Sequence, residues 1–329
     1  MNFSGISLVT GAAGFMGSHV VERLAAEGIR VRATARPRKD ISFFKNLKVE
    51  YVPADLTKPE SLSCLFDGDV DRVFHLGAIC NFSTPYKELY PTNVSGVDHI
   101  TRLALQKKVK VFVHVTSTSV YGYYKGSPFT EESKRDPMDN YGRSKRDGEN
   151  IVFKRCEEGL PAVIVRPCAV YGPRCNDGAG KVFSRPSAIS AIPGSGRQRL
   201  SNIRAEDVAD AILFLSSKDE AVGQVYNLSD NSNPTIREAL TLAAVTYRTS
   251  VPKLKLPLGI VRLVARLDGL VSGFKGKIPD LEYDAAKYLD NDYIVDNTRL
   301  KKSGYNFRYP DFAASMKQMG EWYWSQSNS

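Results

Sequence analysis

A chain of 329 residues, 42% hydrophobic and 25% charged, can bury a large core and has a globular rather than a disordered composition. No apolar run reaches the roughly 20 residues of a membrane span, the N-terminus lacks the basic start of a signal peptide, and the five cysteines contain no Cys-x-x-Cys pair, so free thiols, no metal and a cytoplasmic setting are expected. The net charge of +9 is scattered without a dense basic run, which argues against nucleic acid and favours a local use against a phosphorylated cofactor.

In the first half, short β-type runs alternate with helical patterns. That rhythm predicts an α/β fold, a doubly wound parallel sheet with helices on both faces. Strands are expected at 6–10, 30–35, 49–53, 70–78, 109–116 and 162–166. A helix is expected over 18–27, where Val20, Val21, Leu24 and Ala25 share one face and Gly28 ends it. Others are expected around 93–105 and 139–158, the last stopped by Gly159 and Pro161. Residues 172–202 mix Gly, Pro, Ser and Arg without periodicity and predict a long loop region over the site. A helix at 205–216 and a strand at 223–228 return the chain to the sheet. The expected division is a dinucleotide-binding domain over 1–172, rejoined at about 203–228, and a smaller, mostly helical substrate lobe from 173–202 and 229–329. In that lobe Ile260, Val261, Leu263, Val264, Leu267, Leu270 and Val271 recur at helical spacing, with Arg262 and Arg266 on the other side. A helix packed over a substrate cleft is the expectation, and a membrane-surface helix is the alternative.

Between the first strand and first helix stands Gly11-Ala12-Ala13-Gly14-Phe15-Met16-Gly17. Pyrophosphate binding needs this context: a tight turn, a close backbone approach, and helix-terminal N–H groups aimed at an anion. After the second strand, where an acidic residue would hold the ribose hydroxyls of NAD, the chain has Ala35 followed by Arg36, Arg38 and Lys39. A guanidinium can grip a 2′-phosphate that a carboxylate would repel, so NADP is preferred, with NAD as the alternative. A solvated basic loop is the competing reading. Asp55 is a candidate for the adenine amino group, in competition with a turn or capping role.

Tyr141 and Lys145 lie four residues apart, on one face of the expected helix. A phenol with an ordinary pKa of about 10 is a poor base at neutral pH. A nearby Lys145 cation and a positive nicotinamide ring favour phenolate and bring it into a useful range. Ser117, at the end of a core strand, can orient a carbonyl or alcohol beside the phenol.

Together these segments resemble the extended short-chain dehydrogenase/reductase family over nearly the whole chain, a family with the Rossmann fold. The motifs, in order, are Thr10–Gly17, Val73-Phe74-His75-Leu76-Gly77-Ala78, Asn93–Gly96, Ser117–Gly122, Tyr141–Lys145, Arg166–Pro173 and Asp207–Ala209. The resemblance implies Tyr141 as proton donor or acceptor, Lys145 on the nicotinamide ribose and Ser117 on the reacting oxygen. It implies a cofactor lining of Gly11, Gly14, Phe15, Met16, Gly17, Leu56, Leu76, Gly77, Ala78 and Pro167 beside Arg36 and Asp55, a helix-bending Asn93, and a homodimer through the helices around 93–105 and 139–158. Gly77 departs from the family's usual Ala.

Dehydratases of this family carry an Asp-Glu pair directly after the Ser/Thr, and decarboxylases a Glu at the second of those positions. Thr118 and Ser119 stand there and cannot do that acid–base work near neutral pH. Nucleotide-sugar epimerases often have Asn where this chain has Ala169. Arg166-Pro167 resembles the branch that reduces or oxidises sterol-like and flavonoid-like carbonyls and secondary alcohols. An NADP(H)-dependent oxidoreductase acting on such a small molecule leads. A nucleotide-sugar epimerase with tightly bound NAD, and a non-catalytic cofactor-sensing or RNA-binding protein on the same fold, remain as alternatives. Arg197 and Arg199 either meet an acidic substrate or lie in a solvated loop. Thr298–Tyr305 resembles the family's C-terminal architectural segment.

Overall fold

The computed structural model describes residues 1, 3–37, 39–123, 126–175, 179–184, 191–274, 279 and 281–327. Arg38 and parts of the 172–202 span lie outside the described residues.

The first half runs β1 (Ile6–Thr10), α1 (Phe15–Ala26), β2 (Val31–Thr34), β3 (Val49–Tyr51), β4 (Val70–His75), α2 (Tyr86–Tyr90), α3 (Gly96–Gln106), β5 (Val111–Val115), α4 (Asn140–Glu157) and β6 (Ala162–Pro167). It continues through β7 (Ala169–Tyr171), β8 (Ala191–Pro193), β9 (Asn202–Arg204), α5 (Ala205–Ser216) and β10 (Val225–Leu228). After these come α6 (Ile236–Thr246), β11 (Leu254–Leu256), α7 (Leu258–Phe274), α8 (Tyr283–Lys287), α9 (Thr298–Lys302) and α10 (Phe312–Ser327).

Seven parallel strands form the main sheet in the order β10-β6-β5-β4-β1-β2-β3. Because side chains alternate along a strand, each strand feeds two cores. Val9, Val113, Val115, Val163 and Val165 face one way, against Val20, Val21 and Leu24 of α1 and Val208, Ile212 and Leu215 of α5. Leu8, Phe112, Ala162 and Ile164 face the other way, against Val97, Ile100 and Ala104 of α3 and Val152 of α4. The strand order reverses between β1 and β4, so their C-terminal ends open a crevice, the usual ligand position in such sheets.

Several details differ from the sequence reading. β4 stops at His75 rather than Ala78, because residues 76–78 leave the sheet to border the crevice. The helix expected over 93–105 is one turn of π-helix, Pro91–Ser95, continuing into α3. The span 172–202 is not wholly irregular: β8 pairs with β11, and β9 pairs with β7. A third core, with Ile236, Leu240, Ala243, Phe312, Met316 and Met319, joins α6 to α10. Helix α7 departs most: its apolar residues are not packed over a cleft. Ile260, Leu263, Val264, Leu267, Leu270 and Val271 are 45–62% exposed, while Ala265 on the opposite face is buried.

Two motifs prove architectural. The Asp207 carboxylate accepts from the Tyr305 hydroxyl and from the backbone N–H groups of Arg308 and Tyr309, tying α5 to the C-terminal segment. Just past β10, burial pushes the Asp230 carboxyl up to about 7, against the hydrogen bonds from Ser232 that favour its charge. Its Oδ2 has no hydrogen-bond partner among the described residues. An acid with a raised folded pKa binds more protons folded than unfolded, so its ionisation costs stability progressively between the carboxylate's ordinary value and about 7. Asp230→Asn is therefore expected to be more stable than wild type at pH 8, on the order of a few kcal/mol, with the gap narrowing as pH falls toward 4. Urea unfolding at the two pH values measures this; a gap that does not change with pH contradicts it.

Candidate active site

The crevice is a cavity of about 510 Å³ bordered by both ends of the predicted machinery. At one end the glycine turn meets the start of α1. Gly11 has φ of +67°, and a Cβ there would lie 2.8 Å from the Gly77 backbone. A Cβ on Gly17 would lie 2.1 Å from the Gly11 carbonyl oxygen. Glycine at 17 lets the helix approach the turn this closely, and glycine at 11 lets the turn approach the loop after β4. The first turn of α1 carries no acidic side chain, so its N–H groups and helix dipole present an uncompensated positive end. Gly14, Phe15, Met16, Leu56, Leu76, Gly77, Ala78 and Pro167 all line the cavity. A Cβ at Gly77 would lie 2.6 Å from the tip of the Leu56 side chain, which would have to shift to admit alanine there.

Arg36 and Lys39 line the same cavity beyond the end of β2. Asp55 lines it too, but its Oδ1 accepts from both the backbone N–H and the hydroxyl of Thr57, so the turn-forming role holds for that oxygen. Those hydrogen bonds and the nearby Arg36 and Lys58 charges hold the Asp55 carboxyl below its usual range despite partial burial. Two cavity-lining hydroxyls, Thr34 Oγ1 and Thr116 Oγ1, are buried without a hydrogen-bond partner among the described residues. The glycine cradle, the positive helix end and these spare hydroxyls suit a dinucleotide.

At the other end, Ser117 from the turn after β5 meets Tyr141 and Lys145, one turn apart on α4. Asp139 caps α4 by accepting from the Gly142 N–H at 2.7 Å, which sets Tyr141 in the first turn. Ser117 Oγ accepts from the Ser119 N–H at 3.1 Å, fixing the turn after β5. Burial drives the Tyr141 hydroxyl well above its ordinary pKa, contact with the Cys80 thiol adds to this, and the hydrogen bond with Ser117 opposes it. Lys145, also buried, donates to the Val115 carbonyl at 3.0 Å and is depressed to about 8, chiefly by burial. In the protein alone, desolvation outweighs these contacts and favours the protonated phenol, whereas the expectation of phenolate rests on the nicotinamide's positive charge as well as on Lys145.

Asn93 braces the site. Its Oδ1 accepts from the Ile79 N–H at 2.8 Å, and its Nδ2 donates to the Ile79 carbonyl and to Ser144 Oγ. One side chain in the π-helical turn therefore locks the loop after β4 to α4 next to Lys145. Below Lys145, the buried rings of His75 and His114 stack 5.5 Å apart. Burial depresses both, His75 to about 3, so neither adds positive charge beside the lysine near neutrality. Arg166, which spacing alone leaves unexplained, is 1% exposed and forms a two-point pair with the fully buried Glu149 of α4 at 2.9 and 2.8 Å.

Four cavity residues near Tyr141 were not foreseen. The Phe82 ring meets Tyr141 edge-on at 5.1 Å. Tyr288 packs on Phe82 and donates to Asp139 Oδ2 at 2.7 Å, and Tyr293 donates to the Thr118 carbonyl at 2.6 Å. Cys80 completes the set, its thiol in contact with the Tyr141 hydroxyl and, like the other four cysteines, in no disulfide. Glu282 joins the two walls by accepting from the Phe82 and Ser83 N–H groups. No local spacing signals these contacts, which span up to 200 residues of chain. Arg197 and Arg199 do not border the cavity; Arg199 binds the Asn233 carbonyl instead.

The sheet, the crevice at its switch point and the Ser117/Tyr141/Lys145 cluster define a dinucleotide-fold protein. Residues 7–229 match the model of the NAD dependent epimerase/dehydratase family, and the chain belongs to that family. Similar proteins include a UDP-N-acetyl-alpha-D-glucosaminuronate decarboxylase of Bacillus cytotoxicus, 31% identical over 74% of this chain and 81% of its own. Another is the 4-hydroxy-2-methyl-3-oxo-4-farnesyl-3,4-dihydroquinoline-1-oxide ketoreductase of Stigmatella aurantiaca, 25% identical over 79% of each chain. A UDP-glucose 4-epimerase of Thermotoga maritima, solved with UDP-glucose, shares the fold with a TM-score of 0.78 over 98% of this chain and 99% of its own, at 21% identity.

Proposed function

We propose that the protein is an NADP(H)-dependent oxidoreductase that interconverts a carbonyl and a secondary alcohol. The asymmetry of charge in the crevice carries this reading. The described cations lining the cavity are Arg36 and Lys39 beyond β2 and the buried Lys145. The wall built from Phe82, Tyr288, Leu289 and Tyr293 contributes none. A 2′-phosphate finds guanidinium and ammonium groups at the first end, whereas a nucleotide-sugar diphosphate finds no described cation at the second.

The turn Gly11–Gly17 would hold the pyrophosphate, Arg36 the 2′-phosphate, and Lys145 the ribose beside the nicotinamide. When bound, the nicotinamide supplies or accepts hydride. Tyr141 holds its proton at the phenol oxygen and is ready to deliver it to a substrate oxygen, the arrangement that reduction requires. Ser117 Oγ, in hydrogen-bonding contact with that phenol, orients the same substrate oxygen. Thr118 and Ser119 offer no carboxyl for dehydration or decarboxylation, which supports hydride transfer without further chemistry. The similarity to a ketoreductase is in keeping with this reading.

Removing the charge-assisted contact tests the cofactor assignment. Arg36→Asp is expected to lower the preference for NADPH over NADH by roughly 10- to 100-fold, the size of a charged hydrogen bond. Steady-state kcat/KM with both cofactors measures it. Equal use of both by wild type overturns the NADP assignment.

A further inference from the structure

Helix α7 presents an unpartnered apolar face, and its surroundings identify what covers it. Ile260, Leu263, Val264, Leu267, Leu270 and Val271 are each 45–62% exposed. At 100° per residue they fall within an arc of about 120°, a continuous stripe along the 17-residue helix. Leu254, on β11 immediately before the helix, is 60% exposed and extends the apolar surface. These seven account for most of the exposed large hydrophobic side chains on the described surface, far more than scattered surface residues require.

Charge selects among occupants. From 251 to 278 the sequence has six basic residues, Lys253, Lys255, Arg262, Arg266, Lys275 and Lys277, against one acidic residue, Asp268. Asp268 is turned inward, accepting from Ser272 and from the Leu281 N–H. At 100° per residue Arg266, stacked on Tyr283, lies about 40° beyond the edge of the stripe, and Arg262, paired with Asp290, lies about 80° beyond it. A second copy of the same face would bring like charges together. An apolar stripe in a segment this basic, with Lys253 and Lys255 just before the helix and Arg266 beside the stripe, instead complements anionic lipid headgroups over acyl chains. No described helix is long and apolar enough to cross a membrane, so this contact is in the plane of the surface.

We infer that α7 docks the protein onto an anionic lipid bilayer, its apolar stripe buried at the headgroup boundary. Helix α7 packs on α8, whose Ala285, with Tyr288 and Leu289 just after it, lines the crevice. Docking therefore holds the aromatic wall of the cleft about one helix diameter, roughly 10 Å, from the lipid. Resting on the oxidoreductase reading, this arrangement assigns the cleft a lipid-soluble carbonyl or alcohol drawn from the bilayer.

Sedimentation of the full chain with vesicles tests the docking without turnover, so it fails separately from the oxidoreductase reading. Wild type is expected to co-sediment with phosphatidylcholine/phosphatidylglycerol vesicles, and more weakly with phosphatidylcholine alone or at high salt. The exposed-site variant L263E/L267E is expected to lose binding by at least roughly tenfold while keeping its unfolding midpoint and cofactor affinity. K253E/K255E is expected to lower binding to the anionic vesicles several-fold. Wild type remaining in the supernatant with anionic vesicles overturns the proposal. So does undiminished sedimentation of L263E/L267E, or a wild-type dimer that the same substitution dissociates while vesicles bind neither protein.

Discussion

Tyr141→Phe is expected to lower turnover by about 10²- to 10⁴-fold, the usual worth of a positioned proton donor, while cofactor affinity changes no more than a few-fold. The substitution removes one oxygen from a buried ring and leaves its packing against Phe82 in place. The lost atom is the one in hydrogen-bonding contact with Ser117 and with the Cys80 thiol. The glycine turn and Arg36 lie elsewhere along the cavity, so binding and chemistry separate in this variant. Fluorescence titration of NADPH measures the first and single-turnover oxidation the second. Unchanged single-turnover rates in the variant contradict the role given to Tyr141.

The largest expected effect on stability comes from the Arg166–Glu149 pair. Glu149 is fully buried, and its carboxylate meets Arg166 at two points and Arg135 at 3.1 Å. Arg166 also donates to the Tyr121 hydroxyl, which in turn donates to Asn227, so a single guanidinium links β6, α4 and β10. Glu149→Gln leaves that guanidinium buried without a counter-charge and is expected to cost about 3–5 kcal/mol. That is a large fraction of the roughly 5–15 kcal/mol typical of a folded protein. Glu149 also supports the charge on Lys145 one turn earlier, so the variant is expected to lower that lysine's pKa further. The apolar double variant Arg166→Met/Glu149→Leu is expected to recover part of the stability, since the one charge it leaves unpaired, Arg135, is partly exposed to solvent. Urea unfolding with an unshifted midpoint for Glu149→Gln contradicts the assignment.

Much of this arrangement was legible in the sequence because its signals are local. Strand–glycine–helix at the start, alternating buried strands and the Tyr141/Lys145 spacing all depend on neighbours within a few residues. The contribution of the C-terminal segment was not legible. Tyr288, Tyr293 and Glu282 reach the site through contacts that close only when the chain has folded back. Burial likewise bears on Tyr141 in a way spacing does not show: the spacing brings Lys145 near, but it does not reveal that its ammonium binds the Val115 carbonyl. For α7, periodicity specified an amphipathic helix and gave no direction for its apolar side. The expected packing over the cleft failed because the stripe faces solvent.

The most direct measurement is the cofactor stoichiometry of turnover. Protein freed of bound nucleotide is supplied with NADPH and a panel of lipid-soluble carbonyl compounds, and reduced cofactor and product alcohol are quantified together. One NADPH consumed per alcohol formed, with little activity from NADH, is the result expected here. Interconversion of UDP-sugars on retained NAD, with no net consumption of reduced cofactor, would contradict the oxidoreductase assignment.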